Sequence, residues 1–196
     1  VAAMLGRMSE LVEAWDPDEG RPQVFRTDKG QSDAQGSSDY FLDSADRVHF
    51  FAEKDAYAAG ESSDADERRT LRAGLTKGEA LNKVGHGLHA ADSVFREYSM
   101  SAKVRGLVRE LGWRDPVLPQ SMYIFKQPLI GGESTSHQDS GLLHTTPRPT
   151  RLGIWPALQP SPLENGARAA PRPRPFPAGP QRTVPCYATI SLRALT

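Results

Sequence analysis

Residues 120–140 read QSMYIFKQPLIGGESTSHQDS, an apolar run followed by a proline, a glycine pair and a polar stretch that carries a histidine and an aspartate two positions apart. The first half has strand character: Gln120, Met122 and Ile124 share one face, and Ser121, Tyr123 and Phe125 the other. One face is expected to line a cavity and the other to pack outward. Gly131-Gly132 breaks the chain. Beyond it, in extended backbone, His137 and Asp139 point the same way. One imidazole and one carboxylate with a common aim supply two of the three groups of a facial triad, the arrangement that holds non-haem Fe(II) and leaves positions open for substrate and oxygen. A bare H-x-D is equally what an ordinary loop histidine and a solvated aspartate look like, and both readings stay open on these residues alone.

Outward from that stretch the elements alternate between helix and strand. Val104, Leu107, Val108 and Leu111 recur at helical spacing, with Ser101 placed as an N-cap and Gly112 just past the end, which predicts a helix covering a sheet. Met4, Leu5, Met8, Leu11, Val12 and Trp15 predict an amphipathic N-terminal helix that stops at Asp16-Pro17, because the residue before a proline is driven out of the α region. Val1 already lies inside that pattern, so residues before it are expected. RVHFFA, ending at Ala52, suits a buried or half-buried strand, with His49 read as a packed, hydrogen-bonded core histidine rather than a ligand. Residues 20–38 read as a loop and residues 54–80 as a mobile surface excursion without chemistry. His86 and His89, three apart, are read as neighbours on a helical turn, either a solvated or capping pair or half of a metal site. Leu152 to Trp155 is the next short strand, cut by Pro156.

The chain of 196 residues fits one domain and is long enough for a core. Lysine plus arginine equals aspartate plus glutamate at 24 each, so no net field recommends nucleic acid. No apolar run reaches the ~20 residues of a membrane span. The single cysteine, Cys186, forms no internal disulfide, which fits an intracellular, cytoplasmic setting. Composition changes after Gly166. Residues 167–185 hold six prolines among nineteen positions, and residues 167–196 carry five arginines and no acid. The reading is a disordered Pro/Arg-rich tail, residues 167–196, with no strand to place its arginines.

QSMYIFKQP, GGE and SHQDS, with LGIW at 152–155, LENG at 163–166, SDYFLDSADRVHFFAEK at 38–54 and LNKVGHGLHAADSVF at 81–95, resemble the phytanoyl-CoA dioxygenase family over residues 1–166. The resemblance implies a mainly β fold with flanking α-helices, a double-stranded β-helix (a cupin-like jelly roll), here cut short after its iron-proximal half. It implies an Fe(II)- and 2-oxoglutarate-dependent dioxygenase, with ascorbate as a reductant. The substrate would be a small molecule, acyl-CoA or another lipid-like compound. By the same resemblance His137 and Asp139 are metal ligands, Lys83 contacts 2-oxoglutarate, and Met122 and Trp155 line its pocket. Without the resemblance Lys83 reads as a surface lysine near a helix start, and Met122 and Trp155 as core. Tyr123 and Gln138 are further hydrogen-bonding candidates. The family's third ligand, a distant downstream histidine followed by a carboxylate-clamping arginine, has no counterpart: the chain has five histidines and none lies beyond His144. His144 is an odd number of residues from Asp139 and would face away on a continuing strand. The expected function is therefore that of the family with catalysis impaired. The alternative is a non-enzymatic fragment or interaction protein acting through its Pro/Arg-rich tail; a metal-binding regulatory fragment is a third, weaker reading.

Overall fold

A computed structural model describes residues 1–17, 23–25, 38–58, 70–132, 151–160 and 187–194. Helix α1 (Ala2–Ala14) runs to Trp15, whose extended backbone and the following Asp16-Pro17 stop it. Strand β1 (Gln23–Val24) and the short helix α2 (Asp39–Asp43), capped by Ser38, lead to β2 (Val48–Ala52). Helix α3 (Lys77–Ala80) delivers the chain into β3 (Leu81–His86), and α4 (Leu88–Ala91), α5 (Ser93–Ser99) and α6 (Ala102–Glu110) follow. Strands β4 (Pro116–Ile124), β5 (Arg151–Ile154) and β6 (Tyr187–Ala194) complete a six-stranded sheet of order β1-β2-β3-β4-β6-β5. Among the described strands only the β1–β2 pair is parallel.

The register sorts residues into two faces. Phe50, Val84 and Tyr123 lie opposite one another across β2, β3 and β4, and so do Phe51, Lys83 and Ile124 on the other face. The first row joins Met4 and Met8 of α1, Leu88 of α4 and Phe95 of α5 in the main apolar core. Burying one such side chain contributes about 1.5–3 kcal/mol, which is why the helices sit on this face. Arg7 Nε donates to Asp92 Oδ2 at 2.7 Å, while Asp92 Oδ1 accepts from Val94 N and Phe95 N to cap α5; one carboxylate thus fastens α1 to the start of α5. Helix α6 packs Val104 and Val108 against Leu118, Leu152 and Ile154, a helix over the sheet as its spacing predicts. Leu107 and Leu111, although in phase with that stripe, remain exposed.

Three expectations are corrected. The stretch 81–86 is a strand, buried at every position, because α3 with its Thr76/Glu79 capping box ends at Ala80; His86 closes β3 and His89 lies in α4, so the pair shares no helical turn. Residues 54–80 are more than a surface excursion: Tyr57 bridges Leu71, and Ala52, Ala56, Tyr57 and Ala80 form a second small core. The tail is not free of strand. YATISLRA holds no proline, so every residue can donate to a ladder, and β6 sits centrally between β4 and β5 with Arg193 opposite both Val117 and Arg151. Its pairing with β4 shifts register between Val117 and Gln120, where Pro119 has no N–H to offer. The proline-rich stretch 167–185 lies outside the described residues, as does most of the loop expected at 20–38.

Candidate functional site

The sheet face opposite the main core carries the candidate site. Lys83 stands in mid-strand on β3, only 6% exposed, and is neither a surface residue nor near a helix start. Its Nζ lies 3.3 Å from the centroid of the Phe25 ring, with Phe51 at 5.3 Å and Phe41 at 5.8 Å. Three aromatic faces attract a cation but accept no strong hydrogen bond. Among the described residues Lys83 has no carboxylate and no hydrogen-bond partner, and burial drives its pKa well below the ordinary lysine value. Met122 shares this face on the neighbouring strand: it pairs with Gly85, two residues from Lys83, and a methyl group at Gly85 would come within 2.8 Å of Met122 Cβ. The absence of a side chain at Gly85 leaves room for the Met122 Cβ beside β3.

His86, 5% exposed, occupies the same wall, with its ring 4.9 Å from that of Phe41 and 5.3 Å from that of Phe51. The Ser44 hydroxyl donates to Phe41 O at 2.6 Å, so at its 2.6 Å contact with His86 Nδ1 the serine oxygen accepts. That assignment puts the proton on Nδ1 and leaves Nε2 a bare acceptor. Burial, and then the charges of Lys83 and His49, lower the His86 pKa to about 2, so the ring is neutral. His89 is fastened separately, its Nδ1 at 2.8 Å from Ser121 Oγ, which also accepts from His89 N. Each histidine is thus held by a serine, consistent with structural roles. His49 hydrogen-bonds Tyr40 O through Nδ1 at 2.8 Å and packs on the Tyr40 ring, so it is packed and hydrogen-bonded as read but half-buried rather than in a core. Tyr123 points away from the site into the helix-side core, 5% exposed, with Phe95 and Phe125 against its ring.

The expected residues are only partly brought together. Lys83 and Met122 share one wall. Trp155 follows β5 at 41% exposure, and β5 is three strands from β3, about 14 Å along the sheet at ~4.8 Å per strand. His137, Gln138, Asp139 and His144 lie outside the described residues. No group of three or more metal-binding side chains occurs among the described residues. Two residues the sequence reading missed are Phe25, whose ring is nearest the lysine, and Glu53. Glu53 is 1% exposed; burial raises its pKa, and hydrogen bonds from Gly132 N and Asn82 Nδ2 pull it back down. A lysine buried in an aromatic nest, with no counter-ion among the described residues, is suited to an anionic ligand whose arrival would favour its charged form.

Residues 1–170 match the family described as phytanoyl-CoA dioxygenase (PhyH), and the chain belongs to it. Among curated proteins it is 43% identical over 165 residues to phytanoyl-CoA dioxygenase domain-containing protein 1 of Mus musculus, covering 84% of this chain and 53% of that protein. It is 40% identical over 166 residues to phytanoyl-CoA dioxygenase 1 of Oryza sativa subsp. japonica, covering 85% and 53%. The homolog of the domain-containing protein 1 in Caenorhabditis elegans is 38% identical over 159 residues, 81% and 51%. The chain spans about half the length of these relatives. No helix among the described residues is long and apolar enough to cross a membrane.

Proposed function

We propose that these 196 residues form the iron-proximal half of an Fe(II)- and 2-oxoglutarate-dependent hydroxylase site, acting in the family on a small, lipid-like or acyl-CoA substrate. Lys83 receives a carboxylate of the 2-oxo acid, Met122 lines the same wall, and His137 and Asp139 hold the metal. The observation that carries this reading is Lys83, buried, without a counter-ion among the described residues and nested among Phe25, Phe41 and Phe51. When bound, iron and the 2-oxo acid supply the oxidising chemistry, with succinate and CO2 as co-products. The chain itself binds and orients. An ammonium in a low-dielectric nest strengthens its attraction to a carboxylate, and the apolar rings around it exclude water that would screen the pair. His86, neutral and bonded to Ser44, adds no competing charge to the ammonium.

We further propose that these residues alone do not turn over. The sequence offers no histidine beyond His144 for a third ligand, and Trp155 stands far from Lys83. Small errors in such a constellation cost about a hundredfold per ångström. The experiment is anaerobic titration of the purified chain with 2-oxoglutarate, followed by Fe(II), ascorbate and oxygen with succinate as readout. The expected result is 2-oxoglutarate binding that Lys83→Ala weakens by about 1.5–3 kcal/mol, the value of one charge-assisted contact, without succinate above the free-iron background. Unchanged affinity in Lys83→Ala refutes the co-substrate role. Succinate formation abolished by Asp139→Ala refutes the claim of no turnover.

A further inference from the structure

On the helix-bearing side of the sheet a second cleft, of about 270 Å³, opens between the end of α5, helix α6 and the start of β4. Tyr98 packs both on the main core and on the apolar stripe of α6, which puts this cleft on the face opposite Lys83. Its floor is apolar, formed by Val104, Val108 and Leu118. Its rim is cationic. Arg105 and Arg109 stand one turn apart on α6, whose start is fixed where Ser101 Oγ accepts from Val104 N. Arg114 reaches the same cleft because Gly112, at φ +86°, reverses the chain, with Gly112 N donating to Arg109 O at 2.9 Å and Trp113 N to Val108 O at 3.2 Å. Like charges four residues apart on a helix repel, and no acidic side chain among the described residues lines the cleft to offset them. Among the described residues none of the three guanidinium groups makes a hydrogen bond or an ion pair. Ser99, only 6% exposed, lines the cleft too, and its hydroxyl has no hydrogen-bond partner among the described residues. Buried hydroxyls are nearly always bonded, so Ser99 and the three arginines together form a donor set suited to one multi-oxygen acceptor.

We infer that this cleft binds a small phosphate monoester, its apolar body on Val104, Val108 and Leu118 and its phosphate among Arg105, Arg109, Arg114 and Ser99. A phosphate monoester carries about −1.5 to −2 charge at neutral pH and three strong acceptor oxygens, which matches three guanidinium forks better than the single charge and two oxygens of a carboxylate. The volume falls just below the ~300 Å³ at which pockets for drug-sized molecules begin, so the apolar body is restricted to about one ring or a short chain. The site is independent of the co-substrate wall, since the sheet stands between them.

The test is calorimetric titration of the 196-residue chain with phenyl phosphate, and separately with inorganic phosphate, at constant ionic strength. Phenyl phosphate is expected to bind saturably and about tenfold more tightly than inorganic phosphate, because its ring covers the apolar floor. Arg105→Gln, Arg109→Gln and Arg114→Gln are each expected to weaken it about tenfold, the loss of one charge-assisted contact, and Ser99→Ala about threefold. Lys103→Gln, on α6 but outside the cleft, and Lys83→Ala, on the other face, are expected to match the wild type. Absence of saturable binding overturns the proposal, and so does binding that Lys103→Gln weakens as much as the cleft variants do. Binding lost in Lys83→Ala but kept in the three arginine variants assigns the ligand to the co-substrate wall and overturns it as well. Phenyl phosphate no tighter than inorganic phosphate overturns the assigned ligand class.

Discussion

Replacing Lys83 by methionine is expected to stabilise the ligand-free chain. The side chain is 6% exposed and, among the described residues, has no counter-ion. An ion in such a place costs several kcal/mol of desolvation. The ring at 3.3 Å and its two neighbours return about 2 kcal/mol. Methionine, of similar length, keeps the packing and has no charge to desolvate. The net gain should be about 2 kcal/mol, or 4–8 °C in Tm at ~2–4 °C per kcal/mol for a chain of this size. The sign with pH follows from the depressed pKa. Below the ordinary lysine value of 10.5 the unfolded chain holds a proton that the folded chain binds poorly, so the wild type carries its penalty at neutral pH and loses it as pH rises toward 10.5. The methionine advantage should therefore shrink between pH 7 and pH 10. Urea unfolding at both pH values measures it. 2-Oxoglutarate at about a hundred times the wild-type Kd should raise wild-type stability by about 2.7 kcal/mol and Lys83→Met by only about 0.3–1.3 kcal/mol, given a lost contact of about 1.5–3 kcal/mol. A ligand-free Lys83→Met chain less stable than wild type by more than about 1 kcal/mol would mean that a counter-ion holds the lysine, and would refute the argument.

Acid sensitivity is expected to be set in part by His86: with a folded pKa of about 2 against an ordinary 6.5, the unfolded chain gains a proton first, so stability falls by about 1.4 kcal/mol per pH unit below 6.5. His86→Gln should flatten that limb by close to one proton in urea midpoints measured from pH 6.5 to 5, and an unchanged slope would argue against a buried neutral ring. Gly87→Ala should cost about 1–3 kcal/mol, because its Cβ would meet Arg47 N and Asp46 C at 2.5 Å, whereas Gly78→Ala, with nothing within 4 Å, should be neutral or stabilising; chemical denaturation ranks them. Deleting residues 187–194 should release β5, whose pairing among the described strands is with β6 alone, and hydrogen exchange at 151–154 should rise while β3 stays protected.

The parts of the fold legible in the sequence are those where one local signal governs. Helix α1 ends at Trp15 because Pro17 constrains Asp16, and α6 begins at Ser101 because a serine hydroxyl satisfies Val104 N. Neither needs knowledge of a distant partner. Where tertiary context governs, the local reading failed. LNKVGH contains a lysine, an asparagine and a histidine, a composition that suggests a helix start, yet it runs as a buried strand because β2 and β4 flank it on both sides. The same cause hid β6: its ladder partners, Gln120 to Ile124, are more than sixty residues away, and the prolines before it dominated the local composition.

The site divides along the same line. His137 and Asp139 were candidates on two-residue spacing and lie outside the described residues; Lys83 was a candidate because a family motif surrounds it. Phe25 and Glu53 were not, since each acquires meaning only from residues remote in sequence: Phe25 from a lysine 58 positions on, Glu53 from Asn82 and from Gly132, 79 positions on. A lone phenylalanine in a polar stretch and a glutamate at a strand end carry no periodicity or spacing that distinguishes them. The register does distinguish them, because it puts Lys83 opposite Phe51, two residues before Glu53, and brings Asn82 to that carboxylate. Lys83 and Glu53 are thus set out by a sheet whose other face is packed by α1, α4 and α5. A core change such as Met8→Ala, expected to cost about 2–5 kcal/mol, should lower global stability while leaving the Phe51–Lys83 pairing, and hence 2-oxoglutarate affinity in the folded fraction, unchanged.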